Sequence, residues 1–449
     1  MKETRIAIIS DLHLGDPEST LVIKDKNGEI IDNKYYFPRL KKAARQEDEN
    51  GNNGHKNDYL VLLGDIIDFA IVSYQDAFEV ARKFFQLVKE AEIADEIIYM
   101  PGNHDFELWH ICEFEVNVIN RLKKGLLPRP FRWSVPAIID DRKDSSGNYR
   151  GKFELFGVTE KAEENRKKRY GGLYLDSITG TQPSEGLTFN FAHPNLYMMT
   201  EEANVLITHG HSFKPYWSLM GKMAPKIFGE DFNNNKPLNL KDFVAINFPL
   251  CQLASSGTGQ AGPLTERIEF IQRTVKDKDK EGMKRIKKYL DNLDREIDKA
   301  TPYAPNDIRE WITDSISNNL KKQLFKSLNK PKPDRFNCSW IKEPGIKKLF
   351  ETYFGYTVKE INEINEHYKK DGKPEEQLKI PDKLIYGHTH CALGWEPGEP
   401  LPIELPNGGP LTITLSNTGG WLRAKGRAFK GPAVFTYVSG KGFKSQLIE

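Results

Sequence analysis

Hydrophobic positions along this chain fall into short blocks, each stopped by a polar or glycine-bearing turn. Ile6 to Ile9, Leu60 to Leu63, Ile97 to Met100, Val205 to Ile207 and Leu384 to Tyr386 have the length and punctuation of buried strands. Further strand-like runs are Val135 to Ile139, Phe153 to Val158, Leu187 to Phe191, Leu411 to Ser416 and Ala433 to Val438. Between them the period changes. Tyr74 to Ile93 carries Ala77, Phe78, Ala81, Phe84, Phe85 and Val88 at helical spacing, which predicts a helix covering a sheet. Shorter helices are predicted over Phe37 to Arg45 and Phe106 to Leu122. The succession from Leu60 to Met100 reads as a right-handed βαβ unit, the signature of an α/β domain.

The first five blocks end in chemically dense turns. They run into Asp11 and His13, into Gly64 and Asp65, into Gly102-Asn103-His104-Asp105, into His209, and into Gly387, His388 and His390. Strands of an α/β sheet that deliver polar groups from their carboxyl ends are how such folds build a site. A carboxylate and an imidazole two residues apart in extended chain point to one side, which suits Asp11 and His13 to a divalent ion. The competing reading of Asp11 is a helix N-cap beside an incidental His. His388 and His390 are expected to align in the same way. Asp65 has two oxygens and can bridge two ions, which an imidazole nitrogen cannot do.

Composition narrows the class. Of 449 residues, 38% are hydrophobic and 29% charged, with a mean hydropathy of −0.58, as in soluble globular proteins. No apolar run approaches the ~18 residues of a membrane span. Arg5 to Ser10 already reads as a strand, so no signal peptide is expected. Cys112, Cys251, Cys338 and Cys391 show no CxxC spacing, which points to reduced thiols in a cytoplasmic protein. A net charge of +2 gives no guidance about partners. Arg166-Lys167-Lys168-Arg169 reads as a solvated face, and no stable nucleic-acid partner is expected.

Taken together and in order, Asp11-Leu12-His13, Gly64-Asp65, Gly102-Asn103-His104-Asp105, His209-Gly210 and Gly387-His388-Thr389-His390 resemble the calcineurin-like metallophosphoesterase family. The resemblance implies an α/β fold, a two-sheet β-sandwich flanked by helices, built from residues 1–212 and 381–449. It implies two divalent metal ions, with manganese, iron and zinc all suited to such ligands. Asp11, His13, Asp65 and His390 would hold the first ion, and Asp65, Asn103, His209 and His388 the second. The ions would activate a bridging hydroxide and clamp the phosphoryl oxygens of a phosphomonoester, phosphodiester or pyrophosphate. His104 would act as the acid, oriented by Asp68. His209 is preferred to His211 because it directly follows the apolar run and takes the family's His-Gly position. His211 is then expected either on the substrate side or as a support behind the ligands.

The chain also departs from that family. Asp68-Phe69-Ala70 lacks the Arg with which protein phosphatases bind phosphate. Residues 213–380 form a long insertion, read as a mainly helical cap. Helical spacing recurs over Phe213 to Phe228 (Phe213, Trp217, Met220, Ala224, Ile227), Glu266 to Lys276, Met283 to Ile297, Asp307 to Leu328 and Ile346 to Tyr368, and Ala254 to Gly262 reads as a loop. Both ends of the insertion are tied to ligand-bearing loops. It is therefore expected at the mouth of the site, favouring a small phosphoester or pyrophosphate substrate. The alternatives are a nuclease of the same fold, whose extra domain usually follows the last His motif, and a non-catalytic scaffold, which would have lost ligands. Asn417-Thr418-Gly419-Gly420-Trp421 is similar to a turn of the UDP-diacylglucosamine hydrolase branch, which usually has Arg where this chain has His104. His110 reads as an ordinary helix residue, His55 and His367 as surface residues, and His193 as a turn residue that nothing fixes toward the cleft.

Overall fold

The computed structural model describes residues 3–25, 27–158, 172–178, 187–214, 218, 238–256, 281, 284, 288, 339–405, 409–423 and 431–449. Trp217, Met220, Ala224 and Ile227, the basic cluster at 166–169, most of the loop read at Ala254 to Gly262 and, apart from Glu281, Lys284 and Lys288, the helices read between Glu266 and Leu328 lie outside these residues.

Two sheets face each other. The first runs in the order β15 (Gly442–Leu447), β14 (Ala433–Val438), β1 (Arg5–Ile9), β4 (Asn57–Leu63), β5 (Ala94–Met100), β8 (Thr188–Phe191). Its last four strands are mutually parallel. The second runs β12 (Glu399–Leu405), β13 (Gly409–Asn417), β11 (Lys383–Tyr386), β10 (Asn204–Thr208), β9 (Asn195–Met199), β6 (Ala137–Asp140), β7 (Lys152–Leu155), with β13, β11 and β10 parallel. A small hairpin, β2 (Val22–Lys24) with β3 (Ile30–Asp32), stands apart.

The strand period of two sorts side chains into layers. Ile6, Ile8, Val61, Leu63, Ile98 and Met100 of the first sheet meet Ala137, Ile139, Met198, Val205, Ile207 and Ile385 of the second. Their neighbours Ala7, Ile9, Leu60, Leu62 and Ile97 face outward, under α1 (Tyr36–Arg45), α2 (Tyr74–Glu90) and α3 (Glu107–Phe114). Burying such side chains contributes about 1.5–3 kcal/mol each, so a one-residue slip would forfeit both layers at once. Ser73 caps α2, its hydroxyl accepting the Asp76 N–H at 3.2 Å.

The outer face of the second sheet is covered by the helix Pro344–Lys370. Its Phe350, Tyr353, Phe354, Ile361 and Ile364 pack with Tyr197, Leu206, Leu384 and Leu415. The last part of the 213–380 stretch thus forms a layer of the sandwich. The helix read over Phe106 to Leu122 is interrupted: α3 passes through a π-helical turn at Glu115–Ile119 before the short helix Asn120–Lys123. Among the described residues no helix is long and apolar enough to cross a membrane. The expectation of four reduced thiols is corrected at one position. Cys112 is a buried thiol in no disulfide, but Cys391 is disulfide-bonded. Nothing in the Cys spacing announced that pairing.

Candidate metal centre

The expectation that strand alternation aligns the site residues needs a different physical basis. Asp11 (φ 53°), His13 (47°), Asp65 (52°), His388 (68°) and His390 (53°) all lie past the ends of β1, β4 and β11, in the left-handed region. They are five of the eight non-glycine residues with positive φ among the described residues, so the strain is concentrated here. Each such residue stores on the order of 1–3 kcal/mol, held by the surrounding fold. The chain turns sharply after each strand and tips these side chains into one place. Gly102 makes room for them, since a Cβ there would overlap Asp65 Oδ1 and His209 Nε2.

Three overlapping groups result: Asp11, His13 and His390; Asp65, His209 and His388; and His13, Asp65 and His104. Within each, the candidate ligand atoms lie within 4.8 Å of one another. His13 Nε2 is 3.2 Å from His390 Nε2, and His390 Nε2 is 3.3 Å from Asp11 Oδ1. Asp65 Oδ2 stands between the sets, 3.7 Å from His13 Nε2 and 3.3 Å from His209 Nε2. The other Asp65 oxygen accepts the His104 N–H at 2.8 Å. His209 Nδ1 lies 2.9 Å from the Leu63 carbonyl and donates to it, which presents Nε2 to the centre. Asn103 stands outside these His and carboxylate groups but is buried beside them, between Gly102 and His104.

Asp68 does more than orient one ring. Its Oδ1 meets His104 Nδ1 at 2.8 Å and its Oδ2 meets His13 Nδ1 at 2.7 Å. Other supporting residues were not foreseen. Asp105 accepts the Gly102 N–H and the Tyr99 hydroxyl at 2.6 Å each, and the backbone N–H groups of Ile66 and Asp65 at 2.9 and 3.2 Å. Ser10 donates to Asp11 Oδ2 and hydrogen-bonds the Thr418 hydroxyl. Asn417 Nδ2 donates to the Gly387 carbonyl at 2.9 Å, so the glycine turn after β13 braces the last His loop. The available signal was composition: a carboxylate directly after His104, and hydroxyl and amide residues beside the ligand loops.

The electrostatics follow from burial against charge. Burial opposes ionisation of Asp65, but the imidazoles of His209, His104 and His13 outweigh it and hold the carboxyl well below the usual range. Asp68 is likewise lowered, its burial overcome by His104 and His13. His209 is raised to about 9, burial being outweighed by Asp65. His388 goes the other way: burial and the neighbouring His209 push it well below the ordinary value. His211 is also buried and lowered; its ring centroid lies 5.5 Å from that of His209, and it belongs to none of the three groups. His193 is buried against Phe106 and Trp109. His110 is part-buried and packs on Phe131 and Phe248. His55 and His367 are exposed.

The residues fit a divalent cation. Asn103 Oδ1 and both ring nitrogens of His388 are buried without a hydrogen-bond partner. Leaving such atoms unsatisfied costs about 1–3 kcal/mol each, and a cation with oxygen and imidazole ligands satisfies Asn103 Oδ1 and one His388 nitrogen together. A family model described as calcineurin-like phosphoesterase matches residues 4–234. No curated protein matches the chain. That match spans about half of the sequence and takes in Asp11, His13, Asp65, Asn103 and His209, and on it the chain belongs to the calcineurin-like phosphoesterase family.

Proposed function

We propose that this protein is a phosphoesterase that uses two divalent ions, of manganese, iron or zinc, to hydrolyse a small phosphoester or pyrophosphate. Asp11, His13, Asp65 and His390 would hold one ion, and Asp65, Asn103, His209 and His388 the other. The observation that carries this reading is the position of Asp65 Oδ2, between His13 on one side and His209 on the other. Ions bound there would stabilise negative charge on the phosphoryl oxygens and lower the pKa of water at the site.

The chain's own residues supply the rest. Asp68 takes the Nδ1–H of His104, which leaves Nε2 to hold a proton and pass it to the departing oxygen. His104 is the more exposed partner of that pair, 16% against 0% for Asp68, as a group that meets substrate should be. By gripping His13 as well, Asp68 sets which of that ring's nitrogens faces an ion. We further read residues 213–380 as an insertion into a domain formed by 1–212 and 381–449, capping the site with the part that precedes the helix Pro344–Lys370. Phe213 stacks on Trp340 with centroids 6.4 Å apart, and Trp340 lies 5.5 Å from the His388 ring. Phe213 at the start of the insertion and Trp340, just ahead of its last helix, therefore meet beside a candidate ligand.

Elemental analysis after metal reconstitution should find about two divalent ions per chain, with hydrolysis of an activated phosphate ester. Asp65→Asn should lose metal and activity together. One ion or none in the unaltered protein would sink the two-ion reading. Best turnover on oligonucleotides would replace the small-substrate reading with that of a nuclease.

A further inference from the structure

At the end of α3 farthest from His104 lies a surface that the catalytic reading does not use. Phe114, Ile119, Leu122, Leu126, Leu127 and Leu173 are exposed there, Leu127 by 82% and Leu173 by 65%. They are six of the ten large apolar side chains exposed among the described residues. The patch is a folded unit. The Leu126 N–H donates to the Arg121 carbonyl at 2.9 Å, Arg121 Nε donates to the Leu127 carbonyl at 2.6 Å, and the Leu173 N–H donates to Glu115 at 2.7 Å. Isolated exposed leucines are ordinary, but a cluster of this kind marks a contact surface.

Its shape and charge select the occupant. Every residue from Leu122 to Pro128 is exposed, and a side chain added at Gly125 would meet nothing within 4 Å. This is a convex tip, which offers no groove for a peptide. Residues 114–128 carry Arg121, Lys123 and Lys124 against the single acid Glu115, and neither lysine has an ion-pair partner among the described residues. Leucines on a projecting tip with lysines at their base suit a lipid interface. The apolar groups enter the acyl boundary while the ammonium groups stay with the phosphates. We propose that this surface docks the protein on an anionic lipid bilayer. The proposal stands independently of the catalytic assignment.

The test is co-sedimentation of the full-length protein with phosphatidylcholine vesicles, with and without phosphatidylglycerol. Binding is expected to the mixed vesicles, weakened by salt. Leu126→Glu with Leu127→Glu should weaken it at least about tenfold, as should Lys123→Glu with Lys124→Glu to a smaller extent. All four positions are exposed, and unchanged melting would show that the variants fold; Leu127→Ser alone is the milder check. Failure of the unaltered protein to bind overturns the proposal, as does equal binding by all variants. A dimer in solution that the leucine substitutions dissolve, without vesicle binding, overturns it in favour of self-association.

Discussion

Across the outer face of the second sheet, buried polar side chains run from Ser134 through Glu360, Tyr197, Asn195 and Tyr353 to Thr208, and each has a partner. The Tyr197 hydroxyl donates to Glu360 at 2.6 Å, Asn195 Nδ2 to Tyr197 at 3.0 Å and the Tyr353 hydroxyl to Asn195 Oδ1 at 2.6 Å. The Thr208 hydroxyl lies 3.3 Å from that of Tyr353, and Ser134 donates to the other Glu360 oxygen. One residue beyond Thr208 comes His209, and there the completeness ends. Next to it, Asn103 Oδ1 and both His388 nitrogens are also buried and have no hydrogen-bond partner. Burial alone does not separate these regions. What separates them is whether the protein satisfies its own polar atoms, because a network that does so stabilises, and one that stops short leaves room for a ligand.

The sharpest way to break this contrast is at His104. On the role proposed for it, His104→Asn should lower kcat by roughly 10²–10⁴-fold, the loss expected for a general acid, with metal content unchanged. Full activity on a substrate with a poor leaving group would remove His104 from that role. Next come paired substitutions with opposite signatures. Glu360→Ala strands the Ser134 and Tyr197 hydroxyls and should lower stability by about 2–4 kcal/mol in urea titration. The metal content of its folded fraction should be unchanged. His388→Leu should shift metal-free stability by no more than about 1 kcal/mol yet lose metal, since no hydrogen bond to its ring is broken. If both variants behaved alike, partner satisfaction would not be what distinguishes the regions.

The smallest effect is at His193, whose ring nitrogens also lack partners. Burial pushes its pKa down to about 3. The unfolded chain titrates near ~6.5, so the folded form binds fewer protons below that value. Its contribution is fully present above pH ~6.5 and is lost as pH falls toward about 3, a change on the order of a few kcal/mol. His193→Phe, placed between Phe106 and Trp109, should flatten part of the acid limb of the stability profile. Urea midpoints at about pH 7 and about pH 4.5 would reveal it, and an unchanged slope would refute it.

The five strand ends were legible because a buried strand announces itself by apolar composition and its stop by a polar or glycine-bearing turn. The candidate ligands directly after them were legible for the same reason. Their backbone was not: nothing in Asp11-Leu12-His13 declares left-handed φ for Asp and His, which is imposed by contacts such as the Trp421 N–H to the Asp11 carbonyl at 2.9 Å. Asp105 and Thr418 went unread because a supporting hydrogen bond leaves no periodicity. β9 followed a turn read at His193-Pro194 and mixes Asn195 with Tyr and Met, so its period was hidden. The helix at 344–370 was recognised as a helix, but its apolar stripe does not say which surface it meets. Only the facing stripe on β10, β11 and β13 decides that.

Asp68 holds His13 with one oxygen and His104 with the other, and that has a consequence for how such a protein can change over generations. On the roles proposed above, a substitution at this position that strengthens His104 as an acid also alters the His13 ring offered to an ion. One that tunes metal affinity also retunes the acid. The two traits cannot be selected separately through Asp68. A lineage adapting to a new leaving group or a scarcer metal must work through residues farther out, and the carboxylate itself is an evolutionary lock.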